Sequence, residues 1–429
     1  MFWYHAQTKH SYASVRQGTH RLRWEIQPRV FKSYPHTFKR YALDITENED
    51  RFLYHIAGIN AKKSYPGVEY YLRINPAAGA LYPNELYVQI RGIQGKADGI
   101  YHFDVAASAL TLLYALDGDE GIEPYLGYRY AMRGYLFLVS MVPWRSSWKY
   151  RDRAFRYCLL DGGHILGAIE AAALLKPHAT TMRYAIDKER LHTMLGLNER
   201  ERLIGAASVA VPLRDQSVRA AEFALPYVDA TGSYEPNAVI EKAYEQTRRL
   251  DACRAQHKAP QLHYDKQRWQ EAIFTRRSAR EFTGEAITKG QFLTLMEVVN
   301  QAVLSDCDEE VTVHTVVNRV LDMPQGIYVN GCYQAYEDFS RQAGYLCLEQ
   351  YHLGTQGALT FFMTSQGENY QALYQKAGII GQRLYVVATY LGLGASGIGA
   401  YYDDEVVAFL DLPNDTMVLY AFAVGRVTQ

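Results

Sequence analysis

The chain is poor in cysteine, with five in 429 residues, and Cys158, Cys253, Cys307, Cys332 and Cys347 never form a Cys-x-x-Cys pair. That spacing argues against a disulfide framework and against a zinc knuckle. An excess of charge is missing too: 45 basic and 46 acidic residues leave a net charge of -1. No global field recruits nucleic acid or an anionic membrane, so neither is an expected partner. No uncharged apolar run approaches the roughly 18 residues of a spanning helix. The amino-terminal Met1-Phe2-Trp3-Tyr4-His5 has no basic region ahead of an apolar one, which predicts a cytoplasmic protein. Low-complexity tracts, a Walker-type phosphate loop and a Gly-x-Gly-x-x-Gly after a strand are all absent, so a Rossmann dinucleotide domain has no direct support.

What is abundant is tyrosine, 35 copies against 16 of phenylalanine. Its ring buries area while its hydroxyl still finds a partner, which suits either a polar, planar pocket or many half-exposed surfaces. The length suggests two large units. Residues 86–91 and 99–104 read as the two strands of a hairpin, and residues 315–319 and 323–328 repeat that pattern. Arg91 and Arg319 are 228 positions apart, and Gly99 and Gly326 are 227 apart. A long helix follows each hairpin, over 162–175 and from about Gly378 to Leu391. Offsets near half the chain length predict a duplicated domain. The expected partition is 1–225, a connector 226–266 with a charged helical run from Glu241 to Arg254, and 267–429.

Three segments carry candidate chemistry. Thr275-Arg276-Arg277-Ser278-Ala279-Arg280 sets three guanidinium groups and a hydroxyl ahead of a helix beginning near Thr288. Arginine forks match phosphate oxygens and stay charged, so the cluster suits a phosphate monoester; a solvated basic turn is the plain alternative. Asn75-Pro76-Ala77-Ala78-Gly79-Ala80 has almost no side-chain bulk to hold a flat ligand off the backbone, though a tight packing loop has the same composition. Leu391 to Ala400, with four glycines, permits close backbone approach, or forms a flexible helix-to-strand turn, and Gly425-Arg426 adds a cation at the last strand. Lys149-Tyr150 is the candidate acid–base pair, because a desolvated amine can approach neutrality and a phenol can relay a proton; bracing a loop is the alternative. His5 and His10 lack a carboxylate or cysteine at ligand spacing, so capping or packing roles are expected and no metal.

Together with Tyr4-His5, Thr8-Lys9-His10-Ser11, Phe31-Lys32-Ser33-Tyr34-Pro35, the run from Trp148 to Tyr157 and Leu160-Asp161-Gly162-Gly163-His164, these segments resemble the nitroreductase family of flavin enzymes. The resemblance is nearer to its SagB-type branch, which includes azoline oxidases. It implies an α+β nitroreductase-like fold, here in tandem duplication as an intrachain pseudo-dimer, and FMN as cofactor. In the family, one protomer contributes an Arg-x-Ser-x-Arg-like phosphate segment and its partner a small-residue loop. Carried over, Arg276, Ser278, Arg280 and Arg426, with Arg277 beside them, would hold the phosphate and ribityl chain. Gly397, Ile398 and Gly399 would lie beside the isoalloxazine, and Pro76, Ala77, Ala78 and Gly79 would complete the pocket. Ala77 stands where the family often has serine, which removes one side-chain hydrogen bond. Lys149 and Tyr150 would remove a proton as hydride leaves the substrate.

Each half has only one of the two flavin-binding parts. Where the second half has three arginines the first has only Lys32, and the second has only about ten residues, Val303 to Thr312, where the small-residue loop would be needed. One FMN per chain is expected. The reaction implied is a dehydrogenation of a small or peptide-derived substrate. An NAD(P)H-dependent nitro or quinone reductase and a flavin-free binding scaffold are the alternatives.

Overall fold

The computed structural model describes residues 2–18, 21–65, 68–176, 179–251 and 264–428. Cys253, the end of the charged run at Arg254, and Pro177-His178 after the first long helix lie outside the described residues. The chain forms two compact units, an amino-terminal one of Leu22–Leu262 and Val303–Asp308, and a carboxy-terminal one of Met1–Arg21, His263–Ala302 and Glu309–Gln429.

These limits depart from the expected partition at three places. The connector helix Ala238–Thr247 buries Ile240, Ala243 and Tyr244, and the Tyr244 hydroxyl donates to the Leu203 carbonyl at 2.8 Å, so it belongs to the amino-terminal unit. Residues 303–308 join the same unit: the Met182 amide donates to the Leu304 carbonyl at 2.8 Å, and the Tyr184 amide to Asp306 Oδ1 at 2.8 Å. The first residues of the chain pack in the carboxy-terminal unit instead. There the Asp403 amide donates to the His10 carbonyl at 3.1 Å, the His10 amide to Asp403 Oδ2 at 2.8 Å, and Tyr4 meets Tyr370 edge to face.

In the amino-terminal unit an antiparallel sheet runs in the spatial order Arg40–Ala42, Ala109–Ala115, Gly99–Asp104, Asn84–Arg91, Tyr130–Met141, Arg202–Ser217, Thr181–Arg183. The strand Asn84–Arg91 is buried at every position, its polar Asn84, Glu85, Gln89 and Arg91 included. The hairpin it forms with Gly99–Asp104 pairs Tyr87 with His102 and Ile90 with Gly99, as the sequence pattern predicts. Behind the sheet lies the helix Ala154–Ala173, buried along its whole length.

The carboxy-terminal unit has the sheet order Cys332–Ala335, Gly326–Val329, Thr312–Val317, Leu359–Ser365, Met417–Gly425, Gly394–Ile398, again antiparallel. Strand for strand this is the order of the other unit without its first strand. The helix Tyr370–Tyr390 takes the place of Ala154–Ala173, and Asp403–Phe409 that of Lys188–Leu195. Among the described residues the amino-terminal unit also has the helix Pro143–Tyr150 and the hairpin Ile59–Tyr65 with Val68–Arg73, which leads into the Pro76 loop, without a match in the other unit. No helix among the described residues is long and apolar enough to cross a membrane.

Candidate functional site

The helix Pro143–Tyr150 starts on a proline at its first turn, where the missing N–H costs nothing. Trp144 and Trp148 bury against Leu81 and anchor one face. Arg145 is fully buried and pairs with Glu85 at 2.6 Å through a nitrogen that also donates to the Tyr82 carbonyl, while its other two nitrogens donate to the carbonyls of Arg29 and Ala230. Burial opposes the Glu85 carboxylate, but Arg145 and His102 outweigh it and hold the group down at about 2. The helix stops at Arg151, whose φ of 52° is uncommon for a residue with a Cβ. Lys149 and Tyr150 are thereby held half-buried on the last turn.

They face the small-residue loop. Gly79 has φ 64°, and a Cβ placed on it would lie 2.6 Å from the Tyr150 hydroxyl and 3.2 Å from Lys149 Nζ. Glycine is therefore required there twice over, by conformation and by space. The neighbouring Ala78 amide points to Asp161, both of whose carboxyl oxygens lie at 3.2 Å. Pro76 is buried, Ala77 and Ala78 half-buried, and Gly79 exposed. Burial, then Tyr157 and Asp161, push the Tyr150 phenol well above its ordinary range, so it keeps its proton. The predicted acid–base pair and the predicted flavin loop thus meet in one unit.

In the carboxy-terminal unit three of the other predicted residues, Arg276, Ser278 and Gly397, meet at Tyr385, which sequence reading missed. Its hydroxyl lies 2.9 Å from Ser278 Oγ and accepts the Gly397 amide at 2.8 Å, and the Arg276 guanidinium lies 5.0 Å from its ring centroid. Arg276 is buried, Arg277 turns one nitrogen to the Arg276 carbonyl at 2.7 Å, and Arg280 is exposed. Arg426 Nε donates to the Ala286 carbonyl at 2.8 Å, and its own carbonyl accepts the Thr283 amide at 3.0 Å.

The glycine segment differs from the expected turn. Gly394–Ile398 is the edge strand of the sheet, and the turn is earlier, at Gly392 with φ 72°. The strand's outer side takes the Ala279 amide onto the Ala395 carbonyl at 2.8 Å, which seats the arginine segment beside it. A Cβ on Gly397 would stand 1.9 Å from the Tyr420 hydroxyl, so close packing demands the glycine. Ile398 points into the core, leaving only its backbone to meet a ligand, and Gly399 is half-buried just beyond.

Lys32, which takes the place of the arginines in the first half, is spent internally. Its ammonium pairs with Glu201 at 2.7 Å and meets the Tyr87 hydroxyl at 2.8 Å, with both charged side chains out of solvent. Among the described residues no group of three or more His, Cys, Asp or Glu is placed to hold a metal. His5 lies in a buried cluster, its Nε2 3.8 Å from Asp403 and its Nδ1 3.3 Å from the Tyr374 hydroxyl.

Comparison with known proteins bears on the fold. Residues 327–426 match the Nitroreductase family. A stretch of 94 residues, 21% of the chain, is 30% identical to "Putative nitroreductase MJ1384" of Methanocaldococcus jannaschii, and it spans about half, 46%, of that relative's length. The crystal structure of "a putative nitroreductase from anabaena variabilis" superposes with a TM-score of 0.81 at 25% identity, covering 99% of each chain. The chain carries a nitroreductase-family domain, and the fold is nitroreductase-like α+β.

Proposed function

We propose that this chain is an FMN-dependent oxidoreductase of the SagB type, built by tandem duplication of one nitroreductase-like domain. The matching strand order of the two units supports the duplication. The donor set fits the cofactor: Arg276 and Ser278 set beside a glycine-rich edge strand present guanidinium and hydroxyl donors suited to a phosphate monoester. Arg280 and Arg426 complete that set. When bound, FMN would supply a hydride acceptor.

The observation that carries the reading is the approach of Tyr150 and Lys149 to Gly79. A dehydrogenase needs a base beside its flavin, because a proton must leave as the hydride leaves, and an amine and a phenol built against this loop supply a base and a relay. Tyr150, kept as a phenol by burial, orients the substrate or passes a proton on; Lys149 takes the proton from the atom next to the hydride-donating carbon, and the electron pair left behind forms the new double bond. The substrate class is a small or peptide-derived molecule with a C–H next to nitrogen, such as an azoline ring.

Replacing Arg276 and Arg280 together by alanine should abolish FMN retention in the purified protein, read from its visible spectrum; a fully yellow double variant would sink the site. Anaerobic flavin bleaching by an azoline-bearing peptide, lost in Lys149→Ala, supports the dehydrogenase. Turnover of a nitroaromatic with NADPH, undiminished in Lys149→Ala, would favour the reductase instead.

A further inference from the structure

The acid–base pair has a third member that the flavin reading leaves unused. Asp161 sits on the helix Ala154–Ala173, one turn beyond Tyr157, whose ring packs 4.5 Å from that of Tyr150. Its side chain is buried, and both its oxygens reach the same Ala78 amide at 3.2 Å. The next residue, Gly79, is the one against which the Tyr150 hydroxyl rests. Asp161 therefore holds one side of a two-residue peptide whose other side meets the phenol.

We propose that Asp161 is a positioning residue for Tyr150, pinning the Ala78–Gly79 peptide under the phenol and, through its own charge, setting how firmly the phenol keeps its proton. This rests on the reading of Lys149 and Tyr150 as the acid–base pair only for its consequence in turnover. The placement itself stands on the contacts.

Burial drives the Asp161 carboxyl well above the usual carboxylate range, and the single Ala78 N–H only partly offsets it. Once ionised, it is a negative charge near the phenol. It then opposes loss of the Tyr150 proton. Lys149 on the Pro143–Tyr150 helix, and Tyr157 and Cys158 on the long helix, are titratable groups that also face this corner. The loop from Pro76 to Ala80 brings none.

The test separates charge from anchoring. Asp161→Asn keeps the shape and an oxygen to accept the Ala78 amide, but cannot ionise; Asp161→Ala removes both. A polyfluorinated tyrosine, whose phenol is intrinsically more acidic, is placed at position 150 and its ¹⁹F shift followed against pH in the full chain. The midpoint in Asp161→Asn is expected to fall by about one pH unit, a tenfold loss of proton affinity. In Asp161→Ala, hydrogen exchange at the Ala78 amide is expected to rise at least about tenfold, the signature of a lost buried hydrogen bond. A midpoint unmoved in Asp161→Asn overturns the proposal, and so does unchanged Ala78 exchange in a folded Asp161→Ala. If Asp161→Ala does not fold, the titration of Asp161→Asn alone decides. Neither readout uses substrate, so a Tyr150→Phe enzyme of undiminished turnover would remove the acid–base reading and leave this one standing.

Discussion

Gly79 and Tyr150 approach so closely that a single methyl group on the glycine would lie 2.6 Å from the phenolic oxygen. Gly79→Ala therefore has to move the phenol or the loop, and it also forces a residue with a Cβ to φ 64°. The expected cost is about 1–2 kcal/mol of stability, read from urea unfolding, with a larger relative fall in kcat than in stability.

Tyr385→Phe tests the centre of the other unit. Loss of the hydroxyl leaves Ser278 Oγ and the Gly397 amide without the partner they share. A drop of about tenfold in FMN affinity is expected, close to the ~1.4 kcal/mol that one or two such bonds contribute. Fluorescence titration with FMN measures it, and unchanged affinity would place the cofactor elsewhere.

The ion pair of Lys32 and Glu201 is buried in the amino-terminal unit. Lys32→Met leaves the Glu201 carboxylate buried and uncompensated, with an expected loss of about 3–5 kcal/mol. Lys32→Met combined with Glu201→Gln should recover much of that loss. Denaturant midpoints of the two variants check the comparison, while FMN binding, where folding persists, should not change.

Acid stability follows from Glu85. Its folded value of about 2 lies below its ordinary 4.5, so the carboxylate contributes stability that is fully present above pH 4.5 and is lost as the pH falls toward 2. An Arg145→Met variant removes the main cation holding that value down and should begin to unfold at a higher pH, as followed by circular dichroism.

Asp306→Ala addresses the segment that changes unit. The carboxylate caps the amides of Tyr184 and Ala185 at 2.8 and 3.2 Å. Removing it should cost about 1–3 kcal/mol and raise exchange at those two amides above all others in the amino-terminal unit.

Much of the frame is legible along the chain. The hairpin strand Gly99–Asp104 falls where the apolar pattern places it, and the helix after Thr288 begins there because Thr288 and Gln291 form a capping box. Residues 162–175 announce a helix through their small and apolar spacing, but its first turns, from Ala154, are hidden by Arg156 and Asp161, polar residues that turn out to be buried. The glycine run was legible as a place of close approach and not as an edge strand, since glycine carries no strand propensity to signal one.

By itself the sequence determined the local elements, the half-length repeat and the residue types of the candidate site, because these depend on neighbours within a turn or a strand. Tertiary structure alone decided that Asp161 would take the Ala78 amide across 83 residues, that Ser278 would meet Tyr385 across 107, and that Val303–Asp308 would pack with the amino-terminal unit. A buried polar group must find a partner wherever the packing brings one, and no pattern in the flanking residues records which partner that is.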